Sequence, residues 1–171
     1  MLYMIQIMQA ATSEQMDQVR TLIREFVFWH RQEHQHDLPL IDEYFGADEF
    51  EEELTSLPGE YATPQGRLLL ATYNSEPAGC VALRQLDDHT CEIKRMFVYP
   101  HFQGKGIGRI LTKRLIEEAK RIGYASIRLD TSIRQVEAQA LYHSLGFDRT
   151  SPYYELPERL KNWLVFMELK L

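Results

Sequence analysis

A glycine-rich turn in the middle of the 171-residue chain, Gln103–Arg109, reads QGKGIGR. It follows a strand-like segment that ends at Val98, and apolar residues at helical spacing begin at Ile107. Backbone N–H groups at the start of a helix lack partners, and the helix dipole is positive there, so such a turn can hold a phosphate. Lys105 and Arg109 add positive charge to the turn.

The spacing of these glycines does not match two common phosphate-binding motifs. A P-loop needs Gly-x-x-x-x-Gly-Lys-Ser/Thr, but Lys105 is followed by Gly106. The dinucleotide-binding fingerprint needs a third glycine where this chain has Arg109. From these residues alone, a glycine-rich helix start that binds nothing remains the alternative.

A second segment further along the chain, Ala138–Phe147, reads AQALYHSLGF. The QGKGIGR turn, preceded by a strand and Tyr99-Pro100, and this A-x-x-L-Y helix followed by Gly-Phe together resemble two signature motifs of the GNAT superfamily of N-acetyltransferases. The resemblance covers residues 67–150. The acidic helix before it and the segment GEYATPQGRLLLA also resemble a bacterial subgroup whose substrates are largely unassigned.

The resemblance implies a site for acetyl-CoA, at the point where the Cys91–Val98 strand separates from its neighbour. That strand's backbone would pair with the pantetheine arm, and the amides of the turn would hold the pyrophosphate. The cofactor-binding residues it predicts are Met96, Phe97, Val98, Gln103, Gly104, Lys105, Gly106, Ile107, Gly108, Arg109 and Gln135, the last standing where many members carry Asn. Residues 94–134 hold ten bases and three acids, which is a favourable field for an anionic cofactor.

Tyr142, which matches the family's motif tyrosine, is the predicted general acid. Acetyl transfer needs an unprotonated amine, a thioester carbonyl held against it, and a proton for the departing thiolate. A tyrosine hydroxyl can hydrogen-bond to that thiolate or protonate it. The alternative is a core tyrosine whose hydroxyl reaches solvent.

Glu92 is the predicted general base, because it lies on the strand beside the cofactor and a half-buried carboxylate has a raised pKa. The alternatives are an ion pair with Arg84 or Lys94, or a chain of waters that replaces a side-chain base. A covalent route through Cys91 would need an activated thiolate, and the sequence does not indicate one.

Two further clusters of ionisable residues favour structural roles. His30, His34 and His36 lie in HRQEHQH, which has no H-E-x-x-H pattern, so we expect a solvated helix end and no metal site. The segment Asp42–Glu60 contains eight acids and no base. It is either a solvated acidic helix or part of an acceptor site that attracts a cationic amine.

The elements that position these residues follow from hydrophobic spacing. Predicted strands are Leu2–Gln9, Arg67–Tyr73, Gly79–Leu86, Cys91–Val98, Ala125–Thr131, Phe147–Thr150 and Trp163–Leu169; predicted helices follow Thr12 as far as His30–Glu33 and cover Asp48–Ser56, Ile107–Ile122 and Val136–Leu145, with a loop at Ser151–Asn162. Short turns between the middle strands indicate an antiparallel meander. We therefore predict an α/β fold, with a mixed, mostly antiparallel central sheet flanked by helices, as one domain over residues 1–171.

Composition and charge exclude several classes of protein. With 19 Lys+Arg against 25 Asp+Glu, the net charge of −6 argues against a general nucleic-acid binder. Cys80 and Cys91 match no metal or redox spacing, so two free thiols in a reducing cytosol are expected, with a single disulfide as the alternative. We expect no signal peptide, no membrane span and a cytoplasmic protein.

Together these features predict a cytoplasmic, metal-independent enzyme that transfers an acetyl group from acetyl-CoA to a primary amine in a ternary complex. The sequence does not identify the acceptor. The alternatives are a non-catalytic acyl-CoA sensor on the same fold, transfer of another acyl group, or a hydroxyl acceptor. A cationic acceptor and a homodimer formed through the closing strands are further expectations.

Overall fold

A single β-sheet with apolar side chains on both faces organises the chain, and helices cover both faces. The computed structural model describes residues 2–171. The helices are α1 Ser13–Glu33, α2 Leu38–Phe45, α3 Ala47–Thr55, α4 Ile107–Ile122, α5 Val136–Ser144 and α6 Glu158–Trp163; the strands are β1 Ile5–Gln9, β2 Arg67–Tyr73, β3 Glu76–Gln85, β4 Thr90–Val98, β5 Ser126–Ser132, β6 Asp148–Arg149 and β7 Leu164–Lys170.

The seven strands form one sheet in the order β1-β2-β3-β4-β5-β7-β6. The β4–β5 pair is parallel and every other neighbouring pair is antiparallel. The mixed, mostly antiparallel α/β fold predicted from the sequence is therefore confirmed. The capping box predicted at Thr12 and Gln15 is also present, since each side chain accepts a hydrogen bond from the backbone N–H of the other residue.

Alternation along β2 divides the core into two layers, one on each face of the sheet. Leu68 and Leu70 belong to the layer that also contains the buried residues of α1, α2 and α3. Leu69 and Ala71 belong to the layer that contains the apolar face of α4. Cys80 lies in the first layer and Cys91 in the second, and both are buried free thiols, as predicted.

Two helices form where the sequence predicted irregular structure. Pro39 lies in the first turn of α2, where a backbone N–H would have no partner within the helix, so its absence costs nothing. Proline therefore fits the start of α2, although it cannot lie inside the helix before it. The expected loop at Ser151–Asn162 contains most of α6, a helix of six residues that is too short to show clear periodicity. These two helices carry Tyr44 and Trp163, which line the candidate site.

A bulge in β4 separates that strand from β5. Arg95 and Met96 together face the single residue Val81 of β3, and Arg95 has a φ of 57°, which is unusual for a residue with a side chain. The last β4–β5 pair is Glu92 with Arg128, so the two strands diverge beyond that point. The bulge thus opens the sheet at the place where the sequence predicted a cofactor.

Glu53 of α3 holds the bulge in place through a bidentate ion pair. The Nε and Nη2 atoms of Arg95 donate to the two carboxylate oxygens of Glu53 at 2.8 and 3.0 Å. The guanidinium also lies 5.3 and 5.6 Å from the ring centroids of Phe45 and Phe50. Since the side chain of Arg95 is only 10% exposed, its charge depends on Glu53 for compensation.

Replacement of Glu53 by alanine leaves the Arg95 charge buried without a partner. We expect Glu53→Ala to lower the free energy of unfolding by about 3 kcal/mol, measured by urea denaturation. The matched control is Glu51→Ala, because Glu51 pairs with Arg24 where both side chains are more than half exposed, at 57% and 52%. That control should cost less than about 1 kcal/mol. Equal losses of stability in the two variants would contradict the stabilising role of the Arg95–Glu53 ion pair.

Candidate active site

An open cleft of about 600 Å³ lies between the end of β4, the glycine-rich turn, the start of α4 and the start of α5. Ten of the eleven residues predicted to bind the cofactor line it: Met96, Phe97, Val98, Gln103, Gly104, Gly106, Ile107, Gly108, Arg109 and Gln135. The tertiary structure therefore brings the two sequence motifs, which are separated along the chain, to opposite walls of one cleft.

Two glycines give the turn its shape. Gly104 and Gly106 have φ values of 80° and 82°, in the left-handed region where a side chain adds strain. No atom lies within 4 Å of the position that a Cβ would occupy on either residue, so both face open space. Gly106 caps α4 without a side-chain hydrogen bond, which leaves the first amides of the helix available to an anion.

The two basic side chains of the turn point in different directions. The Lys105 ammonium lies 5.0 Å from the ring centroid of Tyr73, outside the cleft lining. The aromatic face attracts the ammonium to this side of the turn, and a role for Lys105 in cofactor binding stays a prediction. Arg109 lines the cleft and donates a hydrogen bond of 2.8 Å from Nη1 to the hydroxyl of Ser144 on α5.

Both glutamines of the predicted site make hydrogen bonds within the chain. The Nε2 of Gln103 donates to the carbonyl of Val98 at 3.2 Å. The Oε1 of Gln135 accepts from the Thr131 hydroxyl at 2.8 Å and the Ser132 amide at 3.1 Å. These two hydrogen bonds orient the Gln135 side chain at the end of β5. They leave its amide NH₂ available to a ligand or to another acceptor.

A smaller cavity of about 60 Å³ adjoins the cleft, where β4 and β5 have diverged. Met96, Gln135 and Ala138 line both spaces, so the two are adjacent. The aromatic residues of its wall are Phe26, His30, Tyr44, Phe45, Tyr142 and Trp163, and its charged residues are Lys94, Arg95 and Asp130. A space of this size holds a few water molecules or the reactive end of a small substrate.

Tyr142 places its ring in the wall of this smaller cavity. Burial, and secondly the charge of Asp130, raise the pKa of its hydroxyl well above the usual range. The hydroxyl makes no hydrogen bond to any other group within residues 2–171. It is therefore a protonated donor beside the cavity at neutral pH.

Glu92 lies behind the cavity rather than in its lining. Its carboxylate accepts a 2.8 Å hydrogen bond from Nε of Arg84 and a short one from the hydroxyl of Tyr153. The ion pair with Arg84, one of the alternatives weighed from the sequence, is therefore present. A role for Glu92 as general base stays a prediction, because it requires a proton path through Tyr153 or water.

Cys91 is on the opposite face of β4, in the layer packed against α4. Burial raises the pKa of its thiol to about 12, so the thiolate that a covalent mechanism needs does not form at neutral pH. The expectation that Cys91 is not a nucleophile agrees with this placement.

Comparison with known proteins identifies the family. A family model described as the Acetyltransferase (GNAT) family matches residues 20–147. The chain belongs to the GNAT acetyltransferase family. An uncharacterised N-acetyltransferase of Dictyostelium discoideum is 30% identical over 92% of this chain and 95% of its own length. Because this wide match is to a eukaryotic protein, membership of a bacterial subgroup stays a prediction.

Two other GNAT proteins extend the comparison. The N-acetylaspartate synthetase of Danio rerio is 36% identical over 61% of this chain, a match that spans 39% of that protein. The structure of the PaiA N-acetyltransferase of Thermoplasma acidophilum in complex with coenzyme A has a TM-score of 0.72, with 18% identity over 98% of this chain and 99% of that one. The second likeness shows the fold.

Several residues of this GNAT site were not predicted from the sequence. Lys94 donates to the Tyr44 hydroxyl at 3.2 Å, and that hydroxyl donates to Asp130 at 2.5 Å. The hydroxyl of Tyr154 donates to the other oxygen of Asp130 at 2.7 Å. Alternation along β4 and β5 predicts that Lys94 and Asp130 share a face, but nothing in the sequence joins either of them to the two tyrosines.

Most acids of the segment Asp42–Glu60 are solvated, as the first of the two roles considered for it implies: Asp42, Asp48, Glu49, Glu51, Glu52 and Glu60 are exposed. Five of the eight acids pair with arginines: Asp42 with Arg31, Glu43 with Arg159, Glu51 with Arg24, Glu53 with Arg95 and Glu60 with Arg84. None of the eight lines the smaller cavity, to which the segment contributes Tyr44 and Phe45. Attraction of a cationic acceptor by this segment stays a prediction.

The histidine cluster is also placed differently from the prediction. His30 is only 2% exposed and lines the smaller cavity, so the expected solvated helix end is wrong for this residue. Its Nδ1 has no partner, and its ring lies 4.9 Å from that of His34. No group of three His, Cys, Asp or Glu side chains within residues 2–171 has metal-binding geometry. The same residues contain no helix long and apolar enough to cross a membrane.

Substitution of Gly106 by alanine is expected to weaken CoA binding. The left-handed φ costs about 1–2 kcal/mol with a side chain present, and relief of that strain turns the first amides of α4 away from the cleft. We expect about a tenfold rise in the dissociation constant for CoA, measured by isothermal titration calorimetry. Gly123→Ala is the matched control, with a φ of 106° at the far end of the same helix. It should lose stability and keep its affinity.

The burial of His30 predicts a pH dependence of stability. Desolvation lowers the pKa of His30 from 6.5 to about 4, against weaker opposing effects of its backbone and Asp37. The unfolded chain therefore binds the proton first, and the free energy of unfolding falls from about pH 6.5 to about pH 4, by up to ~3 kcal/mol. His30→Gln should remove this part of the slope in urea unfolding at a series of pH values. The exposed His36, replaced by Gln, should leave the slope unchanged.

Proposed function

We propose that this GNAT protein transfers an acetyl group from acetyl-CoA to the primary amine of a small acceptor, by direct attack within a ternary complex. The observation that carries the proposal is the adjacency of two spaces. A cleft with an anion-binding helix start lies beside a small cavity with a protonated tyrosine and a carboxylate in its wall. One space suits the nucleotide and pantetheine, and the other suits the amine.

The chain's own residues fit acetyl-CoA in the cleft. The amides of Gln103–Arg109 would hold the pyrophosphate, and the left-handed glycines leave open space where side chains would block it. The backbone of Met96–Val98, which has no β5 partner, would pair with the pantetheine arm. Bound acetyl-CoA supplies the thioester whose carbonyl carbon the amine attacks.

Tyr142 would act on the leaving sulfur. Because its pKa is raised, the hydroxyl stays protonated across the working range of pH and donates a hydrogen bond to the thiolate as the carbon–sulfur bond breaks. The proton that the amine releases on forming the amide balances the one that the thiolate acquires. A neutral donor beside a developing negative charge favours the transition state over the ground state.

The removal of the amine's proton has two candidate routes. Glu92 could receive it through Tyr153, whose hydroxyl donates a hydrogen bond to the Glu92 carboxylate. Water in the smaller cavity could carry it out instead, since orientation alone supplies much of the rate in such reactions. Glu92 as base, a cytoplasmic location and a homodimer all stay predictions.

The second candidate function is an acyl-CoA sensor that binds and does not react. The same cleft would serve it, and Tyr142 would then be only a packing residue. The name of the Danio rerio relative, N-acetylaspartate synthetase, favours catalysis with a small amine acceptor. Transfer of another acyl group, or transfer to a hydroxyl, is left open by the cavity.

Phenylalanine in place of Tyr142 tests the catalytic role. Loss of the hydrogen bond to the thiolate should lower kcat for thiol release by about 100-fold, while the dissociation constant for acetyl-CoA changes little. The measurement is thiol release from acetyl-CoA with a panel of amines, beside calorimetric binding of acetyl-CoA.

Tyr124→Phe is the control for that experiment, because Tyr124 is also a buried tyrosine and its hydroxyl donates to the carbonyl of Gln65, away from both spaces. It should lose about 1 kcal/mol of stability and keep full turnover. Unchanged turnover in the Tyr142 variant would remove that residue from the mechanism. Tight binding of acetyl-CoA with no turnover on any amine would favour the sensor.

A further inference from the structure

Lys94 and Asp130 face one another across the opening between β4 and β5. The last paired residues of these strands are Glu92 and Arg128, and Lys94 and Asp130 come two positions later. Because side chains alternate along a strand, both project from the same face of the sheet as the last pair. Both line the smaller cavity.

The ammonium of Lys94 has no carboxylate partner within residues 2–171. Its hydrogen bond goes to the neutral hydroxyl of Tyr44, and it lies 5.4 Å from the centroid of that ring. The neighbouring Arg95, by contrast, is neutralised by Glu53. The carboxylate of Asp130 lies beyond the Tyr44 hydroxyl and does not contact the ammonium, so an anionic ligand group can bind Lys94 directly.

Asp130 offers the complementary charge at the other side of the cavity. Each of its oxygens accepts one phenolic hydrogen bond, from Tyr44 and from Tyr154, and each can accept a second from a ligand N–H. The two tyrosines fix the orientation of the carboxylate. Asp130 and Tyr142 line the same small cavity, so an amine held by Asp130 lies near the proposed reaction centre.

We propose that Lys94 and Asp130 form a receptor for a zwitterionic acceptor, a small α-amino acid with a free carboxylate. The carboxylate binds the Lys94 ammonium and the amine binds Asp130 before it loses its proton. The inference rests on the proposed acetyl transfer and names its acceptor class.

The distribution of charge favours this acceptor over a purely cationic one. Lys94 and Asp130 together contribute no net charge to the cavity, and Arg95 is compensated by Glu53. The acids of the 42–60 segment point to arginines instead of the cavity. A plain amine would leave Lys94 without a directly bonded anionic partner, whereas a zwitterion contacts both groups at once.

The test compares each of the twenty common L-amino acids with its own carboxamide as acceptor for acetyl-CoA. An amine beside a neutral amide loses its proton more readily than one beside a carboxylate, so amine reactivity alone favours the carboxamide. We expect the best amino acid to exceed its carboxamide at least tenfold in kcat/KM. Equal or better rates with the carboxamides would overturn the inference.

Substitutions of Lys94 assign the preference to that residue. Lys94→Met should reduce the acid-to-amide ratio to within twofold, mainly by lowering the rate with the acid, and Lys94→Arg should restore part of the preference. Lys170→Met is the matched control, since Lys170 pairs with Glu168 at the opposite end of the sheet from the cavity. Circular dichroism should show that the Lys94→Met variant is folded. If this folded variant keeps the acid-to-amide ratio, the proposed receptor is also refuted.

A failure of the proposed function gives a different result. If acetyl-CoA binds and no acceptor turns over, catalysis is absent, and calorimetric titration of the same amino acids into the CoA-loaded protein decides the inference separately. Binding that is lost in Lys94→Met and kept in Lys170→Met supports the receptor. Absence of binding, or binding that Lys94→Met leaves intact, refutes it.

Discussion

The ion pair between Arg95 and Glu53 is the interaction on which the site depends. Arg95 occupies a left-handed conformation in the middle of a strand, and it adds one residue to β4 opposite Val81. Such a conformation persists only where surrounding contacts stabilise it, and here the contacts are the bidentate carboxylate and two aromatic rings. Without the bulge, β4 would continue along β5, and the backbone proposed to hold pantetheine would be paired within the sheet.

The same pairing explains the uneven distribution of charge along the chain. Residues 1–60 hold 13 acids and 3 bases, which by the sequence alone suggests a strongly negative surface. In the fold, several of these acids pair with arginines from later in the chain: Asp37 with Arg134, Glu43 with Arg159, Glu53 with Arg95 and Glu60 with Arg84. Through these ion pairs the acids hold the first helices against the sheet. They affect the acceptor wall mainly by fixing where its residues lie, and less by their own charge.

Tyrosine hydroxyls organise the polar part of that wall. Tyr153 donates to Glu92, and Tyr44 and Tyr154 donate to Asp130. A phenolic hydroxyl orients a carboxylate oxygen and leaves it able to accept a second hydrogen bond from a ligand. Four elements distant in sequence, α2, β4, β5 and the segment before α6, thus meet at two carboxylates.

The sequence by itself determined the local features of this protein. Glycines at 104 and 106 are needed for left-handed turns, and apolar periodicity indicated the start of α4, so a helix start able to hold a phosphate could be predicted from residues close together in the chain. The acetyl-CoA site itself was implied by the resemblance of two separated motifs to a family. The strands, the sheet class and the two free thiols follow from similarly local patterns.

Only the tertiary structure decided the acceptor cavity and the partners of its charges. Tyr44 and Trp163 lie on short helices that show no clear periodicity, and the pairing of Arg95 with Glu53 spans 42 residues. Burial of His30, the turn of Lys105 to Tyr73 and the isolation of Lys94 also depend on contacts between distant segments. Hydrophobic and turn patterns report the neighbours of a residue along the chain, whereas its charge partner is set by the packing of whole elements.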